Sequence, residues 1–189
     1  MYDALILAGG SARRLGGVDK PAVDVGGRTL LEHVVAAVAD ADRIVVVGPH
    51  RPLPFEVVWC VEDPLGGGPV AAIAVGLAHT SADVVLVLAA DLPSVAPAVP
   101  VLLLGLSAEY DAALLVDAAG RSNHLAVAWR RDALTAALAA LGEPADAAVR
   151  ALTSSVAVAQ VPDPQGWGRD CDTWADVDAA RQALGDQQR

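Results

Sequence analysis

Short continuous apolar runs alternate along the chain with segments in which apolar residues return at the spacing of a helix face. The runs predict strands over 2–8, 43–48, 56–61, 83–89, 111–116, 124–129 and 156–161. The helical spacings fall over 29–40, 70–79, 97–106, 132–141 and 174–184. Thr29-Leu30-Leu31-Glu32 has the Thr-x-x-Glu form of a capping box, and Leu30, Val34 and Val38 then recur on one face, which sets the start of the first helix. Asp83-Val84-Val85-Leu86-Val87-Leu88-Ala89 is apolar at nearly every position, as a strand covered on both faces must be.

Strands alternating with helices are the pattern of βαβ units. The expected fold is therefore α/β, a three-layer α/β/α sandwich around a mostly parallel central sheet. One domain spanning residues 1–189 suits this length. Residues 142–147 and 162–168 are rich in Gly, Pro and polar side chains and read as exposed loops.

Composition narrows the class. Although 54% of residues are apolar, no stretch approaches the ~18 unbroken apolar residues of a membrane span. The start, Met1-Tyr2-Asp3-Ala4-Leu5-Ile6-Leu7, has its basic charges after the apolar run rather than before it, which is the wrong order for a secretory signal, so a cytoplasmic location is expected. Two cysteines, Cys60 and Cys171, offer neither a disulfide framework nor a zinc spacing and read as small buried thiols. A net charge of -10 argues against nucleic acid or an anionic membrane as partner. An anionic ligand would then need a local positive site.

The loop after the first strand supplies one. In open α/β sheets ligands bind beyond the carboxyl ends of strands. The segment there reads Gly9-Gly10-Ser11-Ala12-Arg13-Arg14-Leu15-Gly16-Gly17-Val18-Asp19-Lys20. Of 13 basic and 23 acidic residues, four bases and two acids lie between Gly9 and Arg28, leaving 9 and 21 for the rest. Glycines let backbone N–H groups approach phosphate oxygens, and Arg and Lys neutralise their charge. The dinucleotide fingerprint G-x-G-x-x-G is absent, and so is the P-loop pattern, because Lys20 follows Asp19 rather than a glycine.

Leu7-Ala8-Gly9-Gly10, Arg14-Leu15-Gly16-Gly17 and Asp19-Lys20 resemble the LAGG-x-x-x-RMGG-x-DK signature of the molybdenum cofactor guanylyltransferases, a family of Rossmann-like nucleotidyltransferases, with Leu15 in place of the usual Met. The resemblance implies that the loop wraps a nucleoside triphosphate, with Leu7, Ala8, Gly9 and Gly10 lining the nucleotide and Arg14 and Lys20 on phosphate oxygens. It implies GTP as donor, Mg²⁺ as cofactor and the molybdopterin cofactor as acceptor. Arg14, Lys20 and Asp91 become the candidate catalytic residues. It also leaves room for contacts with molybdoenzyme maturation proteins.

The acidic positions follow from the same chemistry. A carboxylate beside a phosphate is repulsive unless a divalent cation bridges them. Asp91, in Ala90-Asp91-Leu92-Pro93 past the clearest strand, suits either a metal ligand or a turn cap, and the resemblance favours the metal. Asp170-Cys171-Asp172 places both carboxylates on one side of an extended segment, with helix capping as the alternative. The resemblance makes Asp172 a second metal ligand. Asp63 and Gly48 correspond to positions that border the nucleotide, Gly48 standing where the family often has Asn. His124 matches a position facing the acceptor. A cytidylyltransferase or sugar-phosphate nucleotidylyltransferase sharing the same loop stays open, and the departures at Gly48, at Ala72 where the family has Gly, and at Trp174 where it has Pro, keep open a non-catalytic nucleotide-binding maturation partner.

Overall fold

The structure, a computed structural model, describes residues 1–9, 17–62 and 65–187, the last two without their side chains. Among these residues, seven strands form one sheet: β1 (Asp3–Leu7), β4 (Arg43–Val47), β5 (Val58–Cys60), β6 (Val84–Ala89), β7 (Ala112–Asp117), β8 (Ser122–Arg130) and β9 (Val158–Asp163). Their order is β5-β4-β1-β6-β8-β7-β9. Every pairing is parallel except those of β8 with β6 and β7. The exception has a plain cause. Only residues 118–121 separate β7 from β8, too few for the crossover that a parallel return needs.

The helices are α1 (Leu30–Ala37), α2 (Gly68–Leu77), α3 (Ala98–Gly105), α4 (Arg131–Leu141), α5 (Arg150–Ser154) and α6 (Trp174–Gln187). The expected capping box is present, with the Glu32 N–H donating to Thr29 Oγ1 at 3.1 Å and the Thr29 N–H to Glu32 Oε2 at 2.6 Å. Alternate residues of the central strands feed two cores. Ala4, Ile6, Leu86 and Leu88 join α1 and α3 on one face, while Leu5, Leu7, Val85 and Val87 join α2 and α4 on the other. Strands so covered have no wet face, which explains their continuous apolar composition. This is the Rossmann-like three-layer architecture expected.

Three short elements escape the sequence pattern: α5, a 3-10 turn over Lys20–Ala22, and a hairpin of β2 (Asp24–Val25) and β3 (Arg28–Thr29). Two-residue strands are shorter than any period that could reveal them. The hairpin turns on Gly26 and Gly27, with φ of 67° and 86°, values that favour glycine at both corners. One expectation needs correction. Residues 162–163 continue β9 rather than opening a loop, because Pro162 pairs opposite Val116 on an edge strand, where a missing N–H costs little. Asp163 is buried and its carboxylate accepts the N–H groups of Trp167 and Gly168, both at 2.8 Å.

β1 lies between β4 and β6, so the chain runs outward on one side of β1 before α2 carries it to the other. The carboxyl ends of β1 and β6 therefore border the crevice where such sheets take their ligands.

Candidate functional site

Backbone hydrogen bonds lock the strand ends together. The Ala8 N–H donates to Val47 O at 2.8 Å, Ala90 N–H to Leu7 O at 3.0 Å and Gly48 N–H to Cys60 O at 2.8 Å. The approach at Gly48 is closer than any other residue tolerates. Its φ is 144°, and a Cβ there would lie 2.7 Å from the Ala8 carbonyl carbon and oxygen. Glycine is thus required by this backbone at position 48.

Asp91 follows β6 by two residues, and its carbonyl accepts the Cys171 N–H at 3.1 Å. That bond brings the 170–172 segment alongside. The Cys171 side chain turns inward, into a small cluster with Val23, Val25, Leu30 and Val177. Burial pushes its thiol up to about 12. With the middle residue anchored inward, Asp170 and Asp172 both project towards Asp91, as alternation along an extended segment requires. One carboxylate oxygen from each of Asp91, Asp170 and Asp172 lies within 4.8 Å of the others.

Lys20 reaches this cluster from the opposite end of the sequence. It begins the 3-10 turn, whose Pro21 is buried, and its Nζ pairs with Asp91 Oδ2 and donates to Asp172 Oδ1 at 2.6 Å. Burial alone would depress the ammonium's pKa. The charge of Asp91 and the bonds to Asp172 and Asp91 outweigh it, so Lys20 is held above its usual value and stays protonated. Asp170 is shifted the other way from an ordinary carboxylate: burial, then the neighbouring Asp172 and Asp91, raise its pKa.

Among the described residues, three carboxylates meet one ammonium at this site. Asp91 Oδ1 is buried with no hydrogen-bond partner, an uncommon state for a carboxylate oxygen. A hard divalent cation with oxygen ligands fits both observations. The two metal ligands expected from sequence, Asp91 and Asp172, meet here. Asp170, which the sequence placed on the same side as Asp172, is the third member of the group.

The other expected residues divide. Leu7 ends β1 and Ala8 follows it, both with side chains in the core, so any ligand contact there runs through the backbone. Gly9 is exposed, and a Cβ on it would lie 3.5 Å from Glu62 Oε1, which accepts the Gly66 N–H at 3.2 Å. Gly10, Arg14 and Asp63 lie outside the described residues. His124 sits where β8 bulges opposite Leu114 and Leu115, at the edge of the sheet that also carries Asp91. Its Nδ1 is 2.9 Å from Thr153 Oγ1, and burial and then Arg150 keep the ring below its usual pKa.

One residue near this edge had no sequence signal. The Arg51 guanidinium donates through Nε and Nη2 to the two carboxylate oxygens of Asp19, at 2.7 and 2.5 Å, and through Nη1 to Pro49 O at 2.9 Å. The pair spans 32 residues of sequence, a distance that no local period reports. Glu62 likewise stood in no motif.

Residues 4–161 match the MobA-like NTP transferase domain family. A molybdenum cofactor guanylyltransferase of Acidiphilium cryptum is 33% identical over 189 residues, covering 94% of this chain and 92% of its own length. For one of Shewanella amazonensis the identity is 35% over 96 residues, and that match spans only 48% of this chain and 49% of the relative's length. Among solved structures, the molybdopterin-guanine dinucleotide biosynthesis protein A of Archaeoglobus fulgidus superposes with a TM-score of 0.75 at 21% identity, covering 97% of this chain and 99% of that one. The 2-C-methyl-D-erythritol 4-phosphate cytidylyltransferase of Thermus thermophilus does so with 0.72 at 22%, covering 98% and 100%. At these identities the structural likeness establishes the fold. No helix among the described residues is long and apolar enough to cross a membrane.

Proposed function

Because the chain belongs to the MobA-like NTP transferase family, we propose that it is a cytoplasmic guanylyltransferase, transferring GMP from Mg-GTP to the phosphate of the molybdopterin cofactor and releasing pyrophosphate. The observation that carries this reading is the meeting of Lys20 with Asp91, Asp170 and Asp172 beyond the ends of β1 and β6.

In this reading an acceptor phosphate oxygen attacks the α-phosphorus in line. The bond to that phosphorus forms as the bond to the β-phosphate oxygen breaks, and the electron pair leaves with pyrophosphate. Such chemistry rests on positioning and on charge placed where negative charge develops. Asp91 and Asp172, with Asp170 beside them, would hold Mg²⁺, which when bound supplies the positive charge that lets carboxylates and phosphates share one site. Asp91 offers its unpartnered Oδ1 without losing a hydrogen bond. Lys20, counter-ion to the carboxylates in the ligand-free chain, turns to the phosphate oxygens, and Arg14 joins it there. Leu7, Ala8, Gly9, Gly10, Gly48 and Asp63 border the nucleotide, the first two through their backbone.

Calorimetric titration with GTP, CTP, ATP and UTP, with and without Mg²⁺, tests the reading. Magnesium-dependent preference for GTP is the expected result. Preference for CTP would replace the guanylyl donor with a cytidylyl one, and absence of binding by all four would overturn the nucleotidyl reading. Tight binding of GTP without pyrophosphate release on addition of the pterin acceptor would leave a non-catalytic maturation partner.

A further inference from the structure

Lys20 is the sole lysine among the 189 residues, so the phosphate site proposed above depends on one flexible ammonium being in the right place. The side chain has four rotatable bonds, and the position of its Nζ is no better defined than the backbone that bears it. The backbone on its far side is well held. Pro21 is buried, the Val23 N–H donates to Lys20 O at 3.1 Å and the Leu30 N–H to Val23 O at 2.9 Å. On its near side the next residue is Asp19, whose carbonyl accepts the Ala22 N–H at 2.9 Å and whose carboxylate is gripped at both oxygens by Arg51.

We propose that Arg51 is a positioning residue, acting through Asp19 to set the start of the Lys20 turn and so to place the Lys20 ammonium at the carboxylate cluster. Three features support it. The Arg51 side chain is 13% exposed and that of Asp19 50%, so the pair is half-sheltered rather than a fully solvated surface contact. Its third bond, to Pro49 O, fixes Arg51 to the segment that follows β4, and Gly48 packs that segment directly against the end of β1. The clamp thus refers Lys20 to the rigid central sheet. Two parallel N–H···O bonds also fix an orientation as well as a distance, which a single ammonium at this position could not do. The Arg51 guanidinium holds the Asp19 carboxyl below the usual carboxylate range, so the clamp is intact at neutral pH.

The inference rests on the reading of Lys20 as a phosphate ligand for its functional meaning, but its geometry can be tested without nucleotide. The full chain is treated with acetic anhydride, and acetylation of Lys20 is followed by peptide mass, with the Met1 α-amine as reference. In the wild type Lys20 reacts slowly, because its side chain is mostly buried and its ammonium is paired. Arg51→Ala should raise the rate, Arg51→Lys should fall between, and the exchanged pair Asp19→Arg with Arg51→Asp should return it towards wild type. In parallel, kcat/KM for Mg-NTP should fall by about tenfold to a hundredfold in Arg51→Ala, the scale of a misplaced ligand group, and recover in part in the exchanged pair. Wild-type labelling of Lys20 in Arg51→Ala, with melting unchanged, would overturn the proposal. So would an exchanged pair that labels as fast as Arg51→Ala. If the wild type binds no nucleoside triphosphate, the proposed function fails while the labelling still decides whether Arg51 places Lys20.

Discussion

Two carboxylates, each with one buried and unpartnered oxygen, sit at opposite ends of the central strands and teach different lessons. Asp3 opens β1 at its amino end and is fully buried; its Oδ2 accepts the N–H groups of Ser81 and Ala82 at 2.6 and 2.9 Å, and its Oδ1 has no partner. Asp91 follows β6 at the carboxyl end, also with one unpartnered oxygen, but faces an ammonium and two further carboxylates. A buried, unsatisfied oxygen is common to both. Among the described residues, only Asp91 shares its space with an ammonium and two further carboxylates. The difference arises from topology: at the amino end one carboxylate ties a loop down, whereas at the carboxyl end three segments converge.

If the comparison is sound, removing each carboxylate should have opposite consequences. Asp91→Asn and Lys20→Ala should each lower turnover by about 10²–10³-fold, the scale of losing one electrostatic stabiliser, with little change in melting temperature. Folded variants with full activity in steady-state assays would sink the assignment. Asp3→Ala should do the reverse. It leaves the part-buried N–H groups of Ser81 and Ala82 without the carboxylate that accepts them, which should cost about 2–4 kcal/mol and lower the melting temperature by roughly 5–15 °C. Activity per folded molecule should be retained, and a selective loss of activity would erase the distinction between the two ends. The smallest effect should be on cation binding. Without its internal competitor, Lys20→Met should bind Mn²⁺ more tightly than wild type in the absence of nucleotide, by about threefold to tenfold, the range of a coupling near 1 kcal/mol. Equal or weaker binding in a Mn²⁺ titration followed by electron paramagnetic resonance would show that the ammonium and the metal do not contend for one place.

Local pattern carried most of the architecture. The continuous run ending at Ala89 marked the buried central strand, Thr29 and Glu32 marked a helix start, and the basic glycine-rich segment ending at Lys20 marked the place proposed for the triphosphate. Strand direction at β8 and the end of β9 were less legible, since pairing partners and edge positions are properties of the sheet and not of the strand. The Asp170-x-Asp172 alternation could be read locally as a shared side. Its meeting with Lys20, 152 residues away, could not.

The sequence by itself determined which segments become strands and helices, because periodicity and capping act over a few residues, and it determined which charged groups are available for phosphate and metal. The tertiary structure decided which of those groups meet. Lys20 reaches Asp91 and Asp172 because the hairpin after Lys20 and the start of α6 bury Val23, Val25 and Leu30 against Cys171 and Val177. Arg51 reaches Asp19 because Gly48 lets the end of β4 lie against the end of β1. Both are packing events between distant segments, and the free energy that drives them comes from apolar surface buried between elements that no single stretch of sequence contains.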